Sequence, residues 1–156
     1  MANLITTITE SLTLNGAQQG GTTTQTITGI NHVFKRIVTC VDDTDFTIAT
    51  FQTATSTGDG AIDLEDVKYI RVTNLETTHP CNLSLQIAGG EGGSANMSSS
   101  HLLQAGESFI LGTPDDFMRG EADTSPGFGS YEDLDTILAR PTTSNHIRVA
   151  VFVATV

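Results

Sequence analysis

At 156 residues and 16.5 kDa the chain has room for one domain with a real core, and two domains would leave each too thin. Eighteen acidic against seven basic residues give a net charge of -11. That balance argues against nucleic acid, whose phosphates need clustered Lys and Arg, and against an anionic membrane surface. No run of eighteen apolar residues marks a spanning helix, and the first residues, MANLITTITE, show no basic-then-apolar leader.

Composition favours strands. Val, Ile and Leu dominate the apolar set, with seven Phe, two Tyr and no Trp. Cys40 and Cys81 cannot form a zinc site alone, and they read as separate buried thiols in strand-like contexts. Spacing leaves open whether they pair.

In chain order, LITTITESLTL allows one or two short strands, and Asn15-Gly16 is a strong turn signal. Residues 13–30, TLNGAQQGGTTTQTITGI, carry no charge and almost nothing large to bury. HVFKRIVTCV (32–41) predicts the first convincing strand, and FTIATF (46–51) a second. The acidic residues 42–45 between them read as a hairpin turn. VKYIRVTNLE (67–76) predicts another strand, and CNLSLQIA alternates strictly, with Cys81, Leu83, Leu85 and Ile87 on one face. Residues 88–100 bury nothing and predict a mobile loop or extended contact segment. HLLQAGESFIL gives two apolar pieces around a turn at residues 105–107.

Residues 112–133 are the longest irregular region, and 131–139 suit either a helical turn or a strand. The closing NHIRVAVFVATV is apolar on both faces, which predicts a strand held between two packed surfaces. Seven to nine strands with Gly, Asn, Asp and Pro turns predict an all-β fold: an antiparallel, jelly-roll-like β-sandwich over residues 31–156. An extended N-terminal arm or edge strands over 1–30 and long irregular loops complete the expectation.

Catalytic patterns are few. His32, His79, His101 and His146 stand far apart without ligand spacing, and no local signature marks a nucleophilic serine. Residues 55–66, TSTGDGAIDLED, match only the later half of a calcium loop. Weak first ligands and a shortened final acid argue against it, leaving a surface cation at Asp59, Asp63 and Asp66 as the residual possibility. Asp42, Asp43 and Asp45 form a second acidic turn. The expectation is therefore no enzyme, no cofactor, no catalytic residue and no metal site. Near-absence of exposed-aromatic candidates also weakens a carbohydrate-binding reading.

The combination of VKYIRVTNLE, CNLSLQIA, HLLQAGESFIL and a hydrophobic last strand resembles small tailed-phage virion proteins, over about residues 67–111 plus the final strand. The resemblance implies a viral structural protein located in the virion, decorating or cementing a bacteriophage capsid. The partners implied are a homo-oligomer, a homotrimer first of all, and the major capsid protein or another virion protein. Its alternatives are a tail- or fibre-associated protein, or a carbohydrate- or receptor-binding sandwich. Within that reading the arm supplies Ile5, Ile8, Leu12 and Leu14 as interface anchors, and Thr22, Thr24 and Thr26 add backbone pairing to a neighbour. Phe117, Met118 and Phe128 are candidate anchors on a second contact loop. Phe117 and Phe128 equally suit the chain's own core.

Overall fold

The computed structural model describes residues 1–53, 60–87, 97–118, 131–142 and 145–156, and among these there is no helix. The N-terminal strands are β1 (Ala2–Thr9), β2 (Thr13–Leu14), β3 (Ala17–Gln18) and β4 (Thr22–Ile30). The body follows with β5 (His32–Cys40), β6 (Phe46–Gln52), β7 (Ile62–Asp63), β8 (Val67–Asn74), β9 (Cys81–Ile87) and β10 (Met97–Leu103). It ends with β11 (Ser108–Leu111), β12 (Leu134–Pro141) and β13 (Ile147–Thr155). Two body sheets pack face to face: one ordered β11-β8-β13-β5, the other β10-β9-β12-β6, with the short β7 added parallel to β6. All other pairings are antiparallel, as an antiparallel β-sandwich requires.

Period-two alternation builds the core. Along β9, Cys81, Leu83, Leu85 and Ile87 are buried, while Asn82, Ser84 and Gln86 point outward. Along β13, Ile147, Val149, Val151 and Val153 face Ile70 and Val72 of β8 and the opposing Leu134, Ile137 and Phe51 in one apolar cluster. Each such side chain stabilises the fold by about 1.5–3 kcal/mol when fully withdrawn from water. The outward side of β13 is covered too, since Ala154 is fully buried beneath the arm. This accounts for a strand apolar on both faces.

One sequence expectation needs correction, and others gain detail. Residues 42–45 do not close a hairpin: β5 pairs with β13 and β6 with β12, so the acidic turn carries the chain from one sheet to the other. Residues 103–108 do the same between β10 and β11. A local pattern of two apolar runs around a turn fits a crossover as well as a hairpin, because both need the same turn residues. Residues 134–141 are a strand in the middle of its sheet, which resolves the helix-or-strand ambiguity. In β8 a register shift beside Lys68 puts Val67 in the core although Tyr69, Arg71 and Thr73 face out.

Two polar side chains tie the sheets at places where strand pairing stops. Asn74, fully buried at the end of β8, donates from Nδ2 to the carbonyls of His79 (2.9 Å), Gln104 (3.2 Å) and Leu103 (3.3 Å), and its Oδ1 accepts from Glu76 N (3.1 Å). Arg36, on β5, donates to the carbonyls of Thr47 (2.9 Å) and Ile48 (2.8 Å). There β6 bulges against β12, and on its other side no strand among the described residues pairs with Thr47 or Ile48, so the guanidinium satisfies those carbonyls from the neighbouring sheet.

Residues 2–30 form a β-ribbon of their own. β1 pairs with β4, β2 with β3, and the tip is a two-residue turn with positive φ at Asn15 (51°) and Gly16 (77°), which is the chemistry of a type I′ hairpin. Near the base, an extra residue in β4 opposite Ala2–Leu4, with Gly29 at φ 82°, bends the ribbon onto the outer face of the β11-β8-β13-β5 sheet. There Leu4, Ile27 and Ile30 pack with Tyr69, Phe152, Ala154 and Val156.

Candidate functional site

Beyond its base, the ribbon is bare. Every residue from 7 to 26 is exposed except Gly20, which is half-buried against its partner strand's backbone. Ile5 is 62% exposed, Ile8 53%, and Leu12 and Leu14 are each 55% exposed. The sequence-derived arm anchors therefore do stand on the surface. The threonines divide differently from expectation. Thr22, Thr24 and Thr26 pair with Thr9, Thr7 and Ile5 of the same chain, so one edge of β4 is already used within the molecule. The other edge of β4 has no strand beside it among the described residues. Hydroxyl contacts at 3.4 Å link Thr7 with Thr24 and Thr9 with Thr22 along one face.

The sheet face beneath the ribbon base follows from the strand registers. Three rows run across it: Val33, Ala154, Tyr69; then Lys35, Phe152, Arg71, Ile110; then Ile37, Ala150, Thr73, Ser108. None of these positions holds a carboxylate, on a chain of net charge -11. Arg148, on the next row beside Thr39, is paired with Glu76 at 3.3 Å. Lys35 and Arg71 have no acidic partner among the described residues. The Arg71 guanidinium lies 5.7 Å from the Phe152 ring, and its Nε is buried without an acceptor. Where the ribbon lifts away, Leu4–Thr7 of β1 and Tyr69, Arg71 and Phe152 of the sheet enclose a cleft of about 330 Å³. Val33, Ile37 and Ile110 stay exposed around it, Ile37 at 61%.

The opposite outer face is polar. A depression of about 530 Å³ is lined by Asn82, Ser84, Gln86, Ser100, Leu138, Arg140 and Asp45. Its one cation is already engaged: Arg140 bonds Asp43 and lies 3.5 Å from Asp45, and the hydrogen bond to Asp43 foremost holds the guanidinium above its ordinary pKa. Gln86 donates to Ser84 (2.6 Å). Among the described residues no aromatic ring lines this depression.

The second contact loop is only partly described. Phe117 packs against the main core, and Met118 bridges to Glu132 by backbone hydrogen bonds of 3.1 and 2.8 Å. Both are half-buried, so Phe117 serves the chain's own fold, while Phe128 lies outside the described residues. Of the residual calcium candidates, Asp59 also lies outside them. Asp63 accepts the Glu65 amide at 3.3 Å within its own turn, and Asp66 accepts Val156 N through its carbonyl.

An acidic group that the sequence did not single out is Asp115, Asp116 and Asp133, whose carboxylates lie within 4.8 Å of one another. The pair at 115–116 is visible in the sequence, but the third member arrives only when residues 131–134 zip onto 114–118. The Asp133 carboxylate accepts the Asp116 amide (3.0 Å), so the cluster has a turn-building role. Among the described residues no metal-sized group contains a histidine or cysteine. His101 instead packs on Phe109, with ring centroids 4.8 Å apart, at the seam between the sheets.

Cys40 and Cys81 are both free and buried. Burial pushes each thiol up to about 11, and for Cys81 the nearby Cys40 adds to that. Neither is a nucleophile near neutral pH. Comparisons with protein-family models, with curated proteins and with solved structures give no match in any of the three.

Proposed function

We propose that the protein is a non-enzymatic structural subunit that works inside a protein assembly, and specifically a virion protein that decorates or cements a phage capsid. The observation that carries the assembly part is the ribbon. A two-stranded hairpin alone is at best marginally stable in water, yet this one holds Ile8, Leu12 and Leu14 with nothing beneath them. Such an arm gains its stability from a surface supplied by a neighbour.

Two further features fit. In the body, β5, β13, β8 and β11 form one sheet and β6, β12, β9 and β10 the other, the wiring we read as a jelly roll. Viral shell proteins, lectins and cupins share that architecture, so it widens rather than selects the choice. The virion assignment itself rests on the resemblance of residues 67–111 and the last strand to small tailed-phage proteins. A cement role needs no reaction centre, because binding the assembled state alone stabilises a shell.

The polar depression over Asn82, Gln86 and Ser100 favours one second reading, a carbohydrate- or receptor-binding sandwich, in which Leu138 lies under the ligand.

Light scattering coupled to size exclusion tests the first reading. A trimer or larger closed oligomer is expected, and a monomer at every concentration up to the millimolar range counts against it. Saturable glycan binding, lost on Gln86→Ala, would replace it with the second.

A further inference from the structure

The outer face of the β11-β8-β13-β5 sheet combines three features. Its three rows nearest the ribbon hold no carboxylate while the chain as a whole carries eighteen, and Glu76, beside the next row, is already held by Arg148. It presents two cations without acidic partners, Lys35 and Arg71, and one of these has a buried Nε that meets no acceptor. Around them lie exposed Val33, Ile37 and Ile110.

The arm has the complementary chemistry. Glu10 is the only charged side chain among residues 1–31, and it sits between the exposed Ile8 and Leu12. The ribbon base already shows that arm and face fit each other, since Leu4, Ile27 and Ile30 pack on Tyr69, Phe152 and Ala154 within one chain. Beyond Phe152, which the base touches, and Arg71, which shares the cleft with Leu4–Thr7, the exposed Lys35, Ile110 and Ile37 of the next two rows continue that contact. A chain's own arm tip does not occupy them, because residues 7–19 are all exposed.

We propose that these open positions receive the arm of a second copy of this chain, with Ile8 and Leu12 against Ile37 and Ile110, and Glu10 at Lys35 and the cleft side of Arg71. The contact is head-to-tail: an arm leaves each copy and a face on each copy accepts one, so copies close into a ring or extend as a chain. The charge pair sets the register, because the other cation on this face, Arg148, is already held by Glu76. This inference rests on the assembly reading and names its partner.

The test mixes two singly substituted full-length chains, one carrying Leu12→Cys and the other Ile37→Cys, under mild oxidation. Cys40 and Cys81 are buried, so they do not compete. A disulfide-linked heterodimer is expected, in excess over either chain alone. In parallel, Glu10→Arg and Lys35→Glu should each weaken self-association about tenfold or more, and the double variant should recover most of it. Lys35 is exposed, so this exchange leaves the fold intact. Arg71→Glu combined with Glu10→Arg gives a second exchange on the buried side of the pair.

An oligomeric wild type with no mixed disulfide, or with no recovery in either exchange, overturns the arm-to-face contact and leaves the assembly reading standing. A wild type that stays monomeric overturns both.

Discussion

Replacing Asn74 gives the sharpest test of how the sandwich is closed. Its side chain is fully buried and meets four backbone groups from two loops: the carbonyls of His79, Leu103 and Gln104, and the Glu76 amide. Three carbonyls around Nδ2 and one amide at Oδ1 also fix which end of the amide points where. An amide nitrogen has two hydrogens, so the three carbonyls share two, and the side chain supplies about three net bonds. At about 1 kcal/mol each, Asn74→Ala should cost about 3 kcal/mol, with the buried Leu103 carbonyl left without its side-chain donor. Asn74→Asp keeps the shape but turns an acceptor toward three acceptors. It should cost more than alanine at pH 7, and the excess should shrink as the pH falls and the acid gains a proton it can donate. Urea unfolding followed by circular dichroism in the strand band, at pH 7 and pH 4, measures both. An alanine variant within 0.5 kcal/mol of the wild type would refute the network, and an aspartate variant matching alanine at both pH values would refute the amide orientation.

Three other outcomes are expected. Arg36→Ala should lower stability by about 1–2 kcal/mol, because the β6 carbonyls of Thr47 and Ile48 lose a charged donor at an unpaired edge; Arg36→Lys, with one point charge, should recover only part of it in the same assay. Gly20→Ala should open the ribbon above its base while leaving the body's unfolding midpoint unchanged, since an added Cβ would lie 1.9 Å from the Glu10 carbonyl oxygen; hydrogen exchange at Glu10 and Gln19, which bond across the ribbon, reads this directly. The thiols of Cys40 and Cys81 rise from 9.0 to about 11 on folding, so below pH 9 both states keep their protons and the contribution is complete. Between pH 9 and pH 11 the unfolded chain loses them first, and stability should fall by at most about 1.4 kcal/mol per pH unit per thiol, a slope absent from a Cys40→Ala, Cys81→Ala variant.

The strands were legible wherever one face is buried and the other wet. CNLSLQIA wrote its alternation openly, and the last strand's two apolar faces foretold the second covering layer. Asn15-Gly16 declared its turn because few residue pairs accept two positive φ angles. What local pattern did not carry was partnership. The turn at 42–45 looks the same whether the next strand pairs beside β5 or crosses to the facing sheet, and only the whole set of eight strands decides. Asn74 was invisible for a related reason: at the end of VKYIRVTN it reads as an ordinary polar alternation, and its four partners come from residues 76, 79, 103 and 104. The sequence offered the arm's threonines to a neighbour, and in the structure β4 pairs along one edge with β1 of the same chain. A ribbon pairing with itself uses that edge first, because the intrachain partner is always close at hand. The face with no carboxylate could not be seen at all, since Val33, Lys35, Arg71, Ile110 and Phe152 come from four strands.

The energetics of the arm say what sort of assembly it can make. Ile8, Leu12 and Leu14 are each a little over half exposed, so burying the rest on a neighbour supplies about 2–5 kcal/mol together. Bringing two molecules together costs an estimated 4–15 kcal/mol in lost freedom. One arm on one face therefore falls short of that cost, and a lone pair of copies should be poorly populated. In a closed head-to-tail ring each copy both gives and receives an arm. The last contact forms within an already tethered set, so its cost in translational freedom has already been met. Assembly on this scheme is steep in concentration and passes from monomer to closed ring with little dimer between. The ribbon's own order rises with it on this scheme, because Ile8 and Leu12 are covered only while a neighbour's face is bound. A shell-decorating protein gains from that coupling: the arm holds firmly in the assembled state and only weakly to a stray copy.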